Sequence, residues 1–202
     1  MKERFLKSKI LIWPLLVIYL GVILYTAWVS DDGYITFRSI ENWLHGYGLV
    51  FNVGERVQTF THPLWLFLQS LFYLFTRLFD SPFGLNKLFY GNIIISLFLS
   101  ILTITLYTFR VTRSTEVAIV GVLILTLSKS FIDYSTSGLE NPLSHFLALC
   151  FFSLFLFGKK DNSRYITTLA FLAGLGALNR LDTILFFFPP LIFVFWQSSN
   201  RQ

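Results

Sequence analysis

Long apolar runs constrain the fold of this sequence more than any other feature. Of its 202 residues, 54% are hydrophobic and only 13% are charged, about half the charged share of an ordinary soluble domain. A membrane-spanning helix needs roughly 20 apolar residues, and the stretches close to that length are 10–29, 88–109, 115–133, 142–158, 165–181 and 183–197. The sequence therefore predicts an all-α protein, a polytopic transmembrane helical bundle of about six spans that occupies residues 1–202.

The stretch 63–79 is harder to assign than these six. It begins with Pro63 and carries Gln69 and Arg77. If it stays on one side of the membrane, most of the 16 Lys and Arg residues face the cytoplasm. If it crosses, the basic residues divide evenly, and only the first arrangement follows the positive-inside rule. We therefore predict an amphipathic interfacial or half-inserted helix at 63–79, within a first outer loop at 30–87.

The N-terminus is basic from Lys2 to Lys9 and leads directly into the stretch 10–29. A cleaved signal peptide is the competing interpretation, but its apolar core would normally be shorter and end at small residues. The length favours an uncleaved anchor. We therefore predict a multi-pass protein of the bacterial cytoplasmic membrane with a cytoplasmic N-terminus.

In this topology, four polar clusters share the outer face of the membrane. They are the pair Asp31–Asp32 with its loop, Lys129 with Asp133, the turn 137–142 and the segment 179–182. Lys129 and Asp133 have the spacing of an ion pair within one helix. Ionisable residues this close to a bilayer are functional candidates by default, so we predict an extracytoplasmic active face. No basic and aromatic pattern indicates nucleic acid binding, and no Cys/His spacing resembles a zinc site.

The adjacent carboxylates of Asp31 and Asp32 are the strongest candidates for chemistry. Asp is also a favoured helix N-cap, and residues 34–47 have the periodicity of an amphipathic surface helix. A single cap would use one Asp and leave the other unexplained, so we expect at least one to be catalytic. His62 shares this acidic loop and is placed to donate to a phosphate.

Two later clusters allow both a structural and a functional interpretation. Asn141 and Pro142 are typical of a helix start, which leaves Glu140 unexplained. Arg180 and Asp182 flank the end of a span, where snorkelling or mutual pairing accounts for them as well as ligand binding does.

Three motifs in this chain resemble those of a known enzyme family. The first comprises Asp31-Asp32-Gly33-Tyr34-Ile35-Thr36-Phe37-Arg38, Glu41-Asn42, Gly46-Tyr47-Gly48-Leu49-Val50-Phe51-Asn52, Gly54-Glu55-Arg56-Val57 and Thr61-His62-Pro63-Leu64-Trp65; the second is Ser137-Gly138-Leu139-Glu140-Asn141-Pro142-Leu143, and the third is Leu178-Asn179-Arg180-Leu181-Asp182. Together they resemble the N-terminal part of polytopic membrane glycosyltransferases of the GT-C fold, nearest to the terminal arabinofuranosyltransferase group. Asn141 stands where that group usually has Thr, and Leu181 where it usually has Pro.

The resemblance implies a mechanism. Such enzymes move a sugar from a polyprenyl-phosphate donor to a cell-envelope glycan or lipid acceptor, with inversion, at the outer face of the membrane. It implies that Asp31 or Asp32 is the general base, because a sugar hydroxyl needs its proton removed. The residues expected to bind substrate are Arg38, Asn42, Arg56, His62, Glu140, Arg180 and Asp182. Of these, Arg38, Arg56, His62 and Arg180 would stabilise the leaving phosphate, and Glu140 would bind acceptor hydroxyls or help to hold a divalent cation, although no full metal site is visible.

Members of that family are generally longer, so we expect this chain to be a portion of an enzyme or to need a partner chain that supplies further spans. Two other classes compete with the enzyme. One is a non-catalytic membrane subunit or scaffold. The other is a transporter, which would place its polar residues near the bilayer midplane rather than at one interface.

Overall fold

The computed structural model describes residues 12–77, 87–112, 114–160 and 164–199. The predicted basic N-terminus, the end of the predicted interfacial helix after Arg77, and Arg113 and Arg201 lie outside these residues.

The described residues form α-helices and no strand, which confirms the predicted all-α class. In chain order the α-helices are α1 Ile12–Tyr25, α2 Asp31–Leu44, α3 Pro63–Arg77, α4 Lys87–Leu106, α5 Thr115–Leu127, α6 Lys129–Asp133, α7 Asn141–Phe157, α8 Arg164–Asn179 and α9 Ile184–Ser199. A π-helix at Tyr107–Val111 extends α4, and a 3₁₀ turn at Leu181–Thr183 precedes α9.

Two helical segments of the described chain are long and apolar enough to cross a membrane. They are Lys87–Val111, with 25 residues, and Leu181–Ser198, with 18 residues. Four other apolar helices are shorter, at Ile12–Tyr25, Pro63–Thr76, Thr115–Leu127 and Asn141–Phe157. The predicted helical class is therefore confirmed, and the residues that the structure describes include two helices of spanning length.

The structure divides the predicted span 115–133 into the two helices α5 and α6, which meet at Ser128. This residue has φ −78° and ψ 106°, and its hydroxyl accepts a hydrogen bond from the backbone N–H of Phe131. A serine that caps a new helix in this way ends the preceding one. The predicted ion pair between Lys129 and Asp133 is confirmed within the short helix α6.

Helix α2 begins and ends three residues earlier than the predicted helix at 34–47. Ser30 caps it, since the Ser30 hydroxyl accepts from the backbone N–H of Gly33 at 3.3 Å. Gly46, with φ +85°, follows the helix. The helix is amphipathic as predicted, with Phe37 and Ile40 on its buried face.

The helices pack in two groups that are joined through α4. Helix α1 packs on α5, with Tyr19, Ile23 and Val122 in their shared core. Helices α7, α8 and α9 form the second group around Phe151 and Phe187. Helix α4 packs against α7, α3 and α1. This arrangement brings the ends of several helices together at one end of the bundle, where the polar clusters lie.

Candidate functional site

A cavity of about 1060 Å³ opens at this end of the bundle. It lies between α2, the loop from Phe51 to His62, the turn before α7 and the segment before α9. Five of the nine predicted site residues line it: Asp32, His62, Glu140, Arg180 and Asp182. Segments far apart in sequence therefore converge on one cavity, as a shared site requires.

The turn from Ser135 to Glu140 forms the floor on which this cavity is built. The backbone N–H and the hydroxyl of Ser30 both donate to the Ser137 carbonyl, at 2.8 and 2.9 Å. The Trp65 indole N–H donates to the Gly138 carbonyl at 2.9 Å. These bonds fix the start of α2 and the first turn of α3 to the same short segment.

Buried amide side chains hold the same turn from the other helices. Asn92 on α4 donates to the Thr136 carbonyl at 3.0 Å and accepts from Gln69 on α3 at 3.0 Å. Asn179 on α8 donates to the Glu140 carbonyl at 3.1 Å. None of these three amides is among the predicted site residues. The sequence feature that could have indicated them is a polar side chain inside an apolar helix. Such a side chain must find a hydrogen-bond partner when it is buried.

The carboxylate of Glu140 is the centre of a buried ionic network. Only 7% of its side chain is exposed, and one of its oxygens lies 3.2 Å from Nδ1 of His62. The other oxygen accepts from the Arg180 guanidinium at 3.1 Å. Arg180 also donates through Nε to both carboxylate oxygens of Asp182, at 2.9 and 3.0 Å. Because a buried carboxylate is costly unless it is paired and hydrogen-bonded, this network accounts for Glu140 at its position.

His62 uses both ring nitrogens inside the protein. Burial lowers its pKa, outweighing the opposite effect of the neighbouring Glu140 carboxylate, so the ring is neutral near pH 7. In the neutral ring, Nδ1–H donates to Glu140 and Nε2 accepts from the Thr36 hydroxyl at 2.9 Å. The Thr36 hydroxyl is farther, 3.5 Å, from the Asp32 carbonyl. His62 therefore positions Glu140, and no ring N–H is left over for a phosphate.

Arg180 is the cation that faces the cavity. Its Nε donates to the Asp182 carboxylate, and this contact with an anion favours the charged guanidinium. About half of its side chain, 49%, is exposed. A guanidinium has five N–H groups, and the contacts with Glu140 and Asp182 engage Nε and NH1. Its outer edge can therefore bind an anionic oxygen.

The two adjacent aspartates face different cavities. Asp32 lines the cavity that holds Glu140 and Arg180, whereas Asp31 lines a second cavity of about 480 Å³. Both are exposed in the first turn of α2, and Ser30 serves as the cap. Neither aspartate carboxylate is therefore needed to cap the helix.

The remaining predicted residues lie apart from the ionic network. Arg38 donates through Nε to the Phe51 carbonyl at 2.8 Å, and Asn42 donates to the carbonyls of Val50 and Phe51 at 2.8 and 3.0 Å. These contacts hold the loop after α2 in place. Arg56 is exposed on that loop and lines neither cavity.

Among the described residues, no group of three or more His, Cys, Asp or Glu side chains is arranged to hold a metal ion. A hard cation such as Mg²⁺ is often bound by one or two carboxylates together with substrate phosphates. Asp32, Glu55 and Asp182 are exposed carboxylates of the cavity that could serve a cation held in this way.

Two curated bacterial proteins are similar to this chain. A terminal β-(1→2)-arabinofuranosyltransferase of Corynebacterium glutamicum is 37% identical over 119 residues, which cover 58% of this chain and 17% of the relative. The protein of the same name from Mycobacterium tuberculosis is 29% identical over 168 residues, which cover 76% of this chain and 26% of the relative. The chain thus spans about a sixth to a quarter of the relatives that it matches. No solved structure matches it.

These relatives define the class that the chain resembles, membrane glycosyltransferases of the GT-C type. The sequence profile of the dolichyl-phosphate-mannose-protein mannosyltransferase family matches residues 61–202, and the chain belongs to this family. The resemblance stated from the motifs is therefore confirmed at the level of the class.

Proposed function

We propose that this chain carries the active site of a transferase that moves a sugar from a polyprenyl-phosphate donor to a cell-envelope glycan or lipid acceptor. The single observation that carries the proposal is the shared cavity of Asp32, the buried Glu140 and the half-exposed Arg180. It places an exposed carboxylate and a charged guanidinium around a space large enough for a sugar phosphate, since such sites usually have about 300–1,000 Å³. The proposal includes about six membrane crossings, an extracytoplasmic cavity and the bacterial cytoplasmic membrane.

Asp32 is the general base in this proposal. Its carboxylate removes the proton from an acceptor hydroxyl while the hydroxyl oxygen forms a bond to the anomeric carbon of the donor sugar. The bond between that carbon and the phosphate oxygen breaks, and the polyprenyl phosphate leaves with the electron pair. A single displacement of this kind inverts the anomeric carbon.

Arg180 binds the leaving phosphate in the same proposal. Positive charge that is already in place where negative charge develops lowers the barrier without reorganisation. Glu140 and Asp182 orient the guanidinium from behind. His62 and Thr36 in turn orient Glu140, so the network acts on the phosphate through one arginine.

The charge of the cavity supports separate places for the base and the phosphate. Asp32, Glu55, Glu140 and Asp182 line it, with Arg180 as the cation among the lining residues. An anionic donor is repelled from the Asp32 side and attracted to the exposed edge of Arg180. The acceptor hydroxyl then approaches between the two groups.

Substitution of each aspartate tests the assignment. Asp32→Asn keeps the shape of the side chain and removes the base, so we expect kcat to fall by about 10²–10⁴-fold, without weaker donor binding. Asp133→Asn, at an exposed ion pair outside both cavities, is the matched control and should transfer normally. Transfer is measured from polyprenyl-phosphate-linked arabinofuranose by the full chain in membranes. Unchanged transfer by Asp32→Asn overturns the assignment, and a loss confined to Asp31→Asn moves the base to Asp31.

A further inference from the structure

The second cavity lies beside the first, on a different face of α2. It has a volume of about 480 Å³, within the range typical of small-molecule sites. Its lining residues are Asp31, Tyr34, Ile35, Phe37, Arg38, Glu41, Phe51, Leu88 and Phe89. The reaction proposed above uses none of them.

The two cavities share a wall. Ile35 and Phe51 line both of them. The Phe51 carbonyl accepts from Arg38 and Asn42, and the Arg38 guanidinium lies 5.0 Å from the centre of the Phe51 ring. Two side chains of α2 therefore fix Phe51 at the boundary, and a ligand that extends past this ring would occupy both cavities.

The chemistry of the second cavity fits a neutral carbohydrate. Asp31 and Glu41 offer carboxylate oxygens, which accept hydrogen bonds from hydroxyls. Tyr34, half exposed, and Phe51 offer aromatic rings on which the apolar face of a sugar packs. Arg38, the basic residue of this cavity, already donates through Nε to the Phe51 carbonyl and lies over the Phe51 ring.

We propose that the second cavity binds the acceptor glycan, at sugar units next to the one whose hydroxyl reacts in the first cavity. This inference rests on the proposed function for the direction of the acceptor chain. Phe51 then separates the reacting unit, near Asp32, from the unit held by Tyr34 and Glu41. A glycan of several units gains affinity from this contact, whereas a single sugar does not reach it.

The test compares a short and a long acceptor on the full chain in nanodiscs. The probes are an alkyl arabinofuranoside and a linear arabinofuranosyl tetrasaccharide, with polyprenyl-phosphate-linked arabinofuranose as donor. We expect Tyr34→Ala and Glu41→Gln to raise KM for the tetrasaccharide by about five- to tenfold, the scale of one lost aromatic contact. KM for the alkyl glycoside and for the donor should not change. Tyr47→Ala is the control, since this tyrosine is 58% exposed and lies outside both cavities.

Direct binding of the tetrasaccharide, measured by calorimetry without donor, separates this inference from the proposed function. If the chain binds the tetrasaccharide, loses affinity in Tyr34→Ala and shows no transfer, the proposed function fails and the glycan site stands. If transfer occurs and both variants treat the two acceptors as the wild type does, the glycan site is overturned. A rise in donor KM alone also overturns it, because the cavity then holds the prenyl chain. Glu41→Gln keeps the side-chain shape. If Tyr34→Ala does not fold, Glu41→Gln provides the test.

Discussion

Nδ1 of His62 lies 3.2 Å from a carboxylate oxygen of Glu140, and fewer than a tenth of either side chain is exposed. The contact joins the residue before α3 to the residue before α7. Arg180 binds the other oxygen of the same carboxylate. Three segments of the chain therefore meet at one buried anion, and the position of Arg180 over the cavity depends on it.

Loss of this anion should cost far more stability than loss of its exposed neighbour. Glu140→Ala leaves the N–H of His62 and a guanidinium N–H without their acceptor, and we expect the free energy of unfolding to fall by about 2 kcal/mol. Asp182→Asn removes a partner whose side chain is 57% exposed, so its cost should stay below about 1 kcal/mol. Thermal unfolding in detergent measures both. Equal losses for the two variants would contradict the central place of Glu140.

The low pKa of His62 predicts a stability that falls in acid. Burial lowers this pKa, while Glu140 and Asp32 raise it and Arg180 lowers it further. The unfolded chain then binds the His62 proton more readily than the folded chain. Stability is therefore highest above the unfolded pKa of about 6.5 and decreases as the pH falls below that value.

The matched variant for this effect is His62→Asn, which keeps a donor near Nδ1 and does not titrate. The difference in melting temperature between wild type and variant, measured from pH 8 to pH 5, isolates His62 from other acidic transitions. We expect the wild type to lose more stability than the variant as the pH falls. A constant difference across this range would rule out a depressed pKa for His62.

Local patterns predicted much of this architecture. The apolar runs located most helices, and the amphipathic pattern predicted α2, although Ser30 moved its start to Asp31. The run 115–133 contains two helices because one serine, Ser128, changes the backbone direction without changing the hydropathy of the run. Helix bounds depend on such caps, which a hydropathy pattern does not record.

Site residues that stand in polar clusters could be predicted from the sequence. The roles of residues that depend on contacts with distant parts of the chain could not. The motifs brought forward Asp32, Glu140 and Arg180, which the structure places around one cavity. Arg38 and Asn42 look like ligands in sequence, yet both reach the Phe51 carbonyl across the loop. No periodicity encodes a contact of that kind, because it depends on how the loop folds back on α2.

Thr36 was also absent from the predicted site, and it fixes the orientation of His62. Its hydroxyl bonds to Nε2 of the imidazole. Thr36→Val removes that donor and keeps the shape, so we expect about 1 kcal/mol of lost stability and a lower kcat, because the ring no longer holds Glu140 firmly. Thr36→Ser retains the hydroxyl and should restore most of both. If serine and valine behave alike, the hydroxyl does not matter and packing explains the residue.

Gly138 lies in the turn that forms the floor of the cavity, and a methyl group at this position should disrupt the turn. Its φ is +90°, a region that L-residues rarely adopt. A Cβ atom at this position would lie 3.0 Å from Cα of Gly33 and 2.9 Å from a methyl group of Val29. Both the backbone strain and the crowding are destabilising, and we expect Gly138→Ala to reduce the free energy of unfolding by at least about 2 kcal/mol.

Gly174→Ala is the matched control for this substitution. Gly174 lies inside α8, and a Cβ atom there would meet nothing within 4 Å. Alanine is the better helix former, so this variant should be more stable than the wild type by roughly 0.5–1 kcal/mol. Chemical or thermal unfolding of the two variants in the same detergent gives the comparison. A Gly138→Ala protein as stable as Gly174→Ala would mean that α2 does not need its close approach to the turn at Gly138, and the shared floor of the cavity would lose its main support.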